Sequence, residues 1–145
     1  MQRVTGASVS VAGEVVGRID RGLVVLIGVA SSDTKKDAQY LAQKTTSLRI
    51  FPNDEGKFNL SVLDINGELL LVSQFTLLAD TRRGRRPSFS EAAPPPQAEE
   101  LFEDFIEEIR ATGLKVATGR FQQYMQVEIH NDGPVTILLD SRDRF

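Results

Sequence analysis

Two short polar segments of this sequence stand where apolar runs end. The first, Ser73-Gln74-Phe75-Thr76-Leu77, follows the run 69–72, and the second is Asn131-Asp132-Gly133-Pro134-Val135-Thr136. Binding sites often gather where strands leave a sheet for loops. At such a point, exposed N–H groups of Phe75 and Thr76 could stabilise the oxyanion formed when an ester is hydrolysed. The alternative is a polar strand end whose side chains only satisfy neighbouring backbone groups.

A protein nucleophile is the second possibility for this chemistry. A hydroxyl group needs an adjacent base to attack at neutral pH, and the chain has one histidine, His130, and no cysteine. Asp132 is the acid beside that imidazole, so an esterase that uses Ser73 or Thr76 with His130 remains open. The alternative for His130 is a half-exposed strand residue without a catalytic role.

Composition narrows the class of protein. At 145 residues the chain fits one domain, 1–145, and its 41% apolar and 26% charged residues are ordinary for a globular protein. The lack of cysteine excludes disulfides and thiolate chemistry, and a single histidine excludes a multi-histidine metal site within one chain. No apolar run has the length of a membrane span, and no signal peptide opens the sequence. We therefore expect a cytoplasmic protein with no metal, no cofactor and no membrane partner.

Charge is unevenly distributed along the chain. The net charge of −3 argues against a general nucleic-acid coat, yet four arginines fall within five residues and a later stretch, 99–108, is strongly acidic. A local cationic loop on an acidic body suits a protein that touches a few phosphate groups. The alternative is a solvated loop. The four residues are Arg82, Arg83, Arg85 and Arg86.

Apolar periodicity predicts the elements that position these segments. Thr34 and Asp37 resemble a helix capping box, and Asn66-Gly67 is typical of a tight hairpin turn. The segment 79–95 has no period and contains several prolines, which predicts a long loop, and residues 141–145 are expected to be frayed. The predicted helices are 34–48 and 97–111. The predicted strands are 3–12, 14–19, 23–29, 68–75, 114–118, 124–130 and 134–140. We expect an α/β fold of curved, mostly antiparallel sheets with two helices packed on one side.

The two polar segments together resemble the signature pair of the D-aminoacyl-tRNA deacylases, hydrolases that cut D-amino acids from tRNA. The stretch Gly84-Arg85-Arg86-Pro87-Ser88-Phe89 lies between them, and the likeness runs from Arg3 to about Asp140. It implies a single domain in β/β/α layers that is partly barrel-like, assembled as a homodimer, with aminoacyl-tRNA and not DNA as its partner.

The resemblance also implies a site. Phe75 and Thr76 are its catalytic residues, and Ser73 and Gln74 line the pocket with them. Gly133-Pro134 is a corner inserted from the partner subunit. The remaining implied residues are Arg3, which braces the corner; Phe121 and Met125, which face the terminal adenosine; and Arg82, Arg83, Arg85 and Arg86 on tRNA phosphates. For Phe121 and Met125 the alternative is simple core packing.

In the family the Gly-Pro bond is cis and its two carbonyls point the same way. They can hold an α-ammonium group while leaving no room for a side chain in the L position, so chirality is read by steric exclusion. Glycine has no side chain to exclude and should be hydrolysed in part. The attacking water is assisted by the free hydroxyl group of the terminal ribose, which fits the lack of a protein nucleophile. A non-catalytic RNA-binding module and the hydroxyl-nucleophile esterase remain the alternatives.

Overall fold

A computed structural model describes residues 1–142 of the chain. Its elements are β1 (Gln2–Val11), β2 (Glu14–Ile19), β3 (Gly22–Ile27), α1 (Lys35–Ser47), β4 (Phe51–Pro52), β5 (Phe58–Leu60), β6 (Glu68–Ser73), the 3-10 turn Phe75–Leu78, α2 (Pro95–Arg110), β7 (Val116–Thr118) and β8 (Gln126–Thr136). The predicted fraying at the end of the chain falls partly on 143–145, outside the described residues. Arg142 is held in place, because its guanidinium donates to the carboxylate of Asp33 at 3.1 Å.

The main sheet is mixed and nearly closes on itself. Its strand order is β2-β1-β3-β6-β7, with β8 on the other edge of β1. β1 is antiparallel to all three of its neighbours, whereas β6 is parallel to both β3 and β7. The two end strands of this order, β2 and β7, lie close together: a Cβ placed on Gly17 of β2 would be 3.0 Å from the carbonyl oxygen of Thr118 in β7. The prediction of a partly barrel-like α/β domain is therefore confirmed.

Alternate residues of the central strands bury opposite faces, as the two-residue period of a strand requires. Leu69 and Leu71 of β6 pack toward the helices, together with the α2 residues Phe105 and Ile109. Leu70 of β6 instead packs inside the barrel, in a second cluster with residues of β1, β2 and β3. This arrangement explains the continuous apolar run of β6, which is covered on both faces.

The two helices pack against each other on one side of the sheet, as predicted. The capping box at the start of α1 is present: the N–H of Thr34 donates to the carboxylate of Asp37 at 2.8 Å. α2 begins at Pro95, two residues before the predicted start, because proline is well suited to the first turn of a helix. Within residues 1–142, neither helix is long and apolar enough to cross a bilayer.

Three local predictions were wrong. Asn66-Gly67 does not connect a hairpin, because the strand that follows it, β6, pairs in parallel with β3. Asn66 takes a left-handed conformation at the end of a short turn, in which the carboxylate of Asp64 accepts from the N–H of Ser61 at 2.7 Å. β6 ends at Ser73, where the chain turns into the 3-10 turn instead of continuing to 75. The predicted strands 124–130 and 134–140 are one strand, β8, which ends at Thr136.

Candidate functional site

The pocket segment, residues 73–77, lies where β6 leaves the sheet. Ser73 is the last residue of β6, and the N–H of Gln74 donates to the carbonyl oxygen of Ile27 at the end of β3, at 2.7 Å. The chain then enters the 3-10 turn, in which the side-chain amide of Gln74 donates to the hydroxyl oxygen of Thr76. The segment is thus fixed at its base by β3 and turned outward at its tip.

The first two N–H groups of this turn, those of Phe75 and Thr76, have no hydrogen-bond acceptor among residues 1–142. Unbonded N–H groups are expected at the start of a helical turn, since their acceptors would lie one turn earlier in the chain. Phe75 is 57% exposed, and Thr76 is exposed as well. Two adjacent free amides near the surface can receive a negatively charged oxygen.

Sequence reasoning missed Gly28, whose backbone supports the 3-10 turn. A Cβ at this position would lie 2.4 Å from Cδ2 of Leu78, 3.1 Å from Cβ of Leu77 and 3.2 Å from the carbonyl oxygen of Gln74. A side chain at this position would therefore displace the end of Leu78 and press on Leu77 and on the backbone of Gln74. A signal was available, because a lone glycine inside an apolar strand pattern often marks a close backbone approach.

A second missed contact connects the pocket segment to the long loop before α2. The rings of Phe75 and Phe89 meet edge to face, with centroids 5.0 Å apart and an interplanar angle of 65°. Aromatic pairs favour this geometry. The contact places the exposed ring of Phe75 next to Phe89, which closely follows the arginine-rich segment in sequence.

The corner Gly133-Pro134 projects from an irregular part of β8. Between its pairings with β1, β8 advances from Asn131 to Thr136 while β1 covers only Val4 to Gln2, so the extra residues bulge out. Gly133 has φ +117°, a conformation that side chains rarely adopt, and both corner residues are exposed. The Gly133-Pro134 peptide bond is cis, as the family resemblance implies.

Arg3 is the buried support of this corner. Its Nε donates to the carbonyl oxygen of Asp132 and lies 3.2 Å from the Asp132 carboxylate, and its Nη1 donates to the carbonyl oxygen of Ile50 at 2.8 Å. A Cβ on Gly133 would lie 3.1 Å from its Nη2. The Arg3 side chain is only 9% exposed. The guanidinium has several N–H donors in a fixed planar arrangement. It thus connects Asp132, the residue before the corner, to Ile50, the residue before β4.

The arginine loop, residues 81–87, is closed at its base by two backbone hydrogen bonds between Asp80 and Ser88, at 2.8 and 2.9 Å. Arg82 is engaged within the loop: its Nε and Nη2 donate to the two carboxylate oxygens of Asp80 at 2.8 and 2.7 Å. These bonds hold the pKa of Asp80 well below its usual range. The other three arginines are exposed, so the cationic charge of the loop is carried mainly by Arg83, Arg85 and Arg86.

Phe121 and Met125 are both half-buried, but they face different surroundings. The ring of Phe121 stacks on Phe102 of α2, with centroids 6.5 Å apart. Met125 packs against the cluster inside the barrel, and its sulfur accepts the N–H of Arg120 at 3.4 Å. These contacts favour the alternative of core packing, and their contact with substrate stays a prediction.

His130 lies on the exposed edge of β8, opposite Gly6 of β1. No hydrogen bond in the described part of the chain joins its imidazole to Ser73, Thr76 or Asp132, and the Asp132 carboxylate is paired with Arg3 instead. The geometry of a Ser-His-Asp triad is therefore not formed within one chain.

Between the pocket segment and the corner, no hydrogen bond, ion pair or ring contact is made among residues 1–142. Behind the pocket segment lies a largely apolar cavity of about 410 Å³, with Leu77 and Leu78 on one wall and the end of β3, α1 and residues 136–141 on the others. Leu77 and Leu138 are also exposed at 53% and 61%. Both halves of the site thus open onto the surface of the single chain.

The sequence and the fold of this chain are similar to those of known proteins. Residues 1–140 match the sequence model of the family described as D-Tyr-tRNA(Tyr) deacylase. Proteins named D-aminoacyl-tRNA deacylase from Fervidobacterium nodosum and Dehalococcoides mccartyi are 59% and 61% identical to the whole chain, which covers 97% and 95% of their lengths.

Two solved structures share the fold. One is described as c-Myc DNA unwinding element binding protein; it is 45% identical, has a TM-score of 0.90, and the match covers 96% of this chain and 95% of that one. The other is described as a probable eukaryotic D-amino acid tRNA deacylase; it is 18% identical, with a TM-score of 0.80 and 92% of each chain covered.

Proposed function

The chain belongs to the D-aminoacyl-tRNA deacylase family, hydrolases of the ester bond between a D-amino acid and tRNA, and we propose how its residues perform that reaction. The observation that carries the proposal is the pair of unbonded N–H groups of Phe75 and Thr76 at the surface of the pocket segment. They receive the oxyanion that forms when water attacks the ester carbon. The terminal ribose then leaves with its hydroxyl group restored.

The attacking water is activated by the substrate. A free hydroxyl group stands next to the esterified one on the terminal ribose of tRNA, within reach of a water held over the ester carbon, and such proximity lowers the barrier substantially. The protein positions the ester and stabilises the developing charge. This assignment is supported by Thr76, whose hydroxyl oxygen accepts from Gln74 and has no base beside it among residues 1–142.

A second copy of the chain completes the site. The corner and the pocket segment are both exposed and make no contact with each other within the described chain, so one protomer leaves two half-sites. In a two-fold homodimer, each surface patch meets its counterpart, and two equivalent composite sites result. Exposed Phe75, Leu77 and Leu138 supply apolar area of the kind that such an interface covers.

The corner selects the chirality of the amino acid. The carbonyl groups of Gly133-Pro134 accept hydrogen bonds from the α-ammonium group of the substrate and so fix its Cα against the corner. The side chain of a D-residue then points away from the corner, whereas that of an L-residue meets main chain. Discrimination by exclusion tolerates any D side chain, and it admits glycine in part.

The tRNA is held mainly through its backbone. Arg83, Arg85 and Arg86 contact phosphates, which position the acceptor end without reading its sequence. Ser73 lines the pocket beside the ester, and contact of Phe121 and Met125 with the terminal adenosine stays a prediction, since the two side chains pack in different clusters. Because aminoacyl-tRNA is the substrate, we expect the enzyme to act in the cytoplasm. The relative named for binding DNA makes single-stranded DNA a useful competitor, and we expect it to compete only through the arginine loop.

The test is the rate at which the protein releases amino acid from D-tyrosyl-tRNA, L-tyrosyl-tRNA and glycyl-tRNA. We expect rapid release of D-tyrosine, intermediate release of glycine and negligible release of L-tyrosine. Release of neither tyrosine would identify a binding module, and equal rates for both would identify an ordinary esterase.

A further inference from the structure

We propose that Phe58 is a positioning residue for the corner Gly133-Pro134, acting through Arg3. The centre of its ring lies 5.2 Å from Cζ of Arg3, within the range of a cation–π contact. Phe58 belongs to β5, which is distant in sequence from both the pocket segment and the corner. The proposal rests on the role of the corner in the proposed function and adds a residue to the device that holds it.

The Arg3 guanidinium is restrained along its edges by three oxygens. The Asp132 carbonyl and carboxylate oxygens lie at Nε, and the Ile50 carbonyl oxygen lies at Nη1. These bonds fix the group in its own plane, but planar hydrogen bonds resist tilting out of that plane weakly. The Phe58 ring stands over the guanidinium and supplies the missing restraint.

Tilting matters because Nη2 is the guanidinium atom beside the corner. A Cβ on Gly133 would lie 3.1 Å from it, so this nitrogen forms the inner wall behind Gly133. If Arg3 tilts away from Phe58, the wall recedes and Gly133 can move back. Space would then open on the side of the corner where an L side chain is excluded.

The hairpin that carries Phe58 is a rigid base for this purpose. Phe51 of β4 is fully buried in the helix-side core and pairs with Leu60 of β5, while Pro52 pairs with Phe58 itself. The connecting turn is tied by the side-chain oxygen of Asn53, which accepts from the N–H groups of Glu55 and Lys57, both at 3.0 Å. A ring on such a hairpin holds its neighbour in a defined place.

The ring itself is not a core residue. Phe58 is 54% exposed, so its replacement removes little buried surface and should leave the melting temperature nearly unchanged. A merely structural role would therefore produce no large effect of any kind. A positioning role predicts an effect on chirality, the property that the corner controls.

The experiment compares Phe58→Leu and Phe58→Tyr with the unaltered protein on D-tyrosyl-tRNA and L-tyrosyl-tRNA. Loss of an exposed cation–π contact changes the population of the conformation in which Phe58 restrains Arg3 by about two- to fivefold. We expect the L-to-D ratio of kcat/KM to rise by about that factor in Phe58→Leu, mainly through kcat on the L-substrate. Phe58→Tyr, which retains a ring face, should keep the original ratio. Tyr40→Leu, at a comparably exposed aromatic of α1, is the matched control and should also keep it.

Two further arms separate the possible failures. Phe58→Leu is also measured in the Arg3→Met background. If it changes the L-to-D ratio of kcat/KM by the same factor with and without Arg3, Phe58 does not act through Arg3 and the inference is overturned. If Phe58→Leu leaves the ratio unchanged while Gly133→Ala lowers D-activity by about a hundredfold, the inference alone fails. If Gly133→Ala also behaves like the unaltered protein, the chirality device in the proposed function fails with it.

Discussion

Arg3 and Asp132 form an ion pair of 3.2 Å across 129 positions of sequence, between the start of β1 and the residue before the corner. The same Arg3 Nε donates to the Asp132 carbonyl oxygen, so side chain and main chain are held together. A partly buried pair with several hydrogen bonds fixes geometry more than it adds stability. Here the geometry that it fixes is the projection of Gly133-Pro134 from the sheet.

Replacing Gly133 with alanine should reduce hydrolysis of D-tyrosyl-tRNA by about a hundredfold, the effect of misplacing a substrate by an ångström or so. The added Cβ would lie 3.1 Å from Arg3 Nη2 and 3.1 Å from Cγ2 of Val135, at a φ of +117° that alanine disfavours. Single-turnover release of tyrosine measures the loss.

Gly13→Ala is the matched control for backbone strain. Gly13 also has a positive φ, +81°, but a Cβ there meets nothing within 4 Å. The Gly13→Ala variant should have a lower free energy of unfolding and unchanged activity. Equal losses of activity in the two variants would show that Gly133 acts only through folding.

Gly28→Ala should lower kcat by about a hundredfold, comparable to the loss of one oxyanion donor. Its Cβ would push the 3-10 turn away from β3 and misplace the N–H groups of Phe75 and Thr76. Gly6→Ala, whose Cβ has only an ordinary 3.5 Å contact with Ile19, is the control measured beside it. A normal kcat for Gly28→Ala would contradict the role given to these amides.

Thr76→Ala and Ser73→Ala should each retain substantial activity, because water is the nucleophile in the proposed mechanism. The rate measurement is again single-turnover hydrolysis of D-tyrosyl-tRNA. A loss beyond about a thousandfold would exceed the effect of one oxyanion-type donor. Together with an acyl-enzyme trapped on Thr76, it would establish covalent catalysis instead.

The arginine loop should govern the salt dependence of tRNA binding. Each phosphate contact that is lost should flatten the slope of log affinity against log salt by about 0.7–0.9. Replacing Arg83, Arg85 and Arg86 with alanine should flatten it strongly and leave hydrolysis of D-aminoacyl-adenosine nearly intact. An unchanged slope would show that the loop is a solvated surface feature that does not contact phosphates.

Arg82 provides an internal comparison within that loop. Its charge is already neutralised by Asp80, so Arg82→Ala should change the slope less than Arg83→Ala does. Asp80→Asn should steepen the slope, because it frees the guanidinium while keeping the backbone bonds to Ser88. A larger effect for Arg82→Ala than for Arg83→Ala would show that the Asp80 pair opens on binding.

The sequence predicted the fold well where the pattern is local. The capping box at Thr34 and the two strands β1 and β2 follow from residue type and period. The Asn66-Gly67 hairpin was wrong because strand pairing is decided by distant partners: β6 has a better partner in β3 than in the strand before the turn.

The site was predictable only in part for the same reason. Residues 73–76 and 133–134 carry short motifs, whereas Gly28 and Phe58 act through contacts that form only after folding. Arg82 shows the opposite case. Its type placed it among phosphate-binding residues, but Asp80, two positions earlier, accepts hydrogen bonds from its Nε and Nη2.

Mixing two impaired variants shows whether the corner of one protomer completes the pocket of the other. Gly133→Ala and Gly28→Ala are each expected to retain only about a hundredth of the activity as homodimers. In a mixed dimer of the proposed kind, one composite site contains both defects and the other contains neither. Co-refolding equal amounts should therefore restore D-tyrosyl-tRNA hydrolysis to about a quarter of the unaltered rate, the share of intact sites in a random two-fold assembly. If activity stays at the level of the separate variants while mixed dimers are present, corner and pocket belong to the same protomer and the account is contradicted.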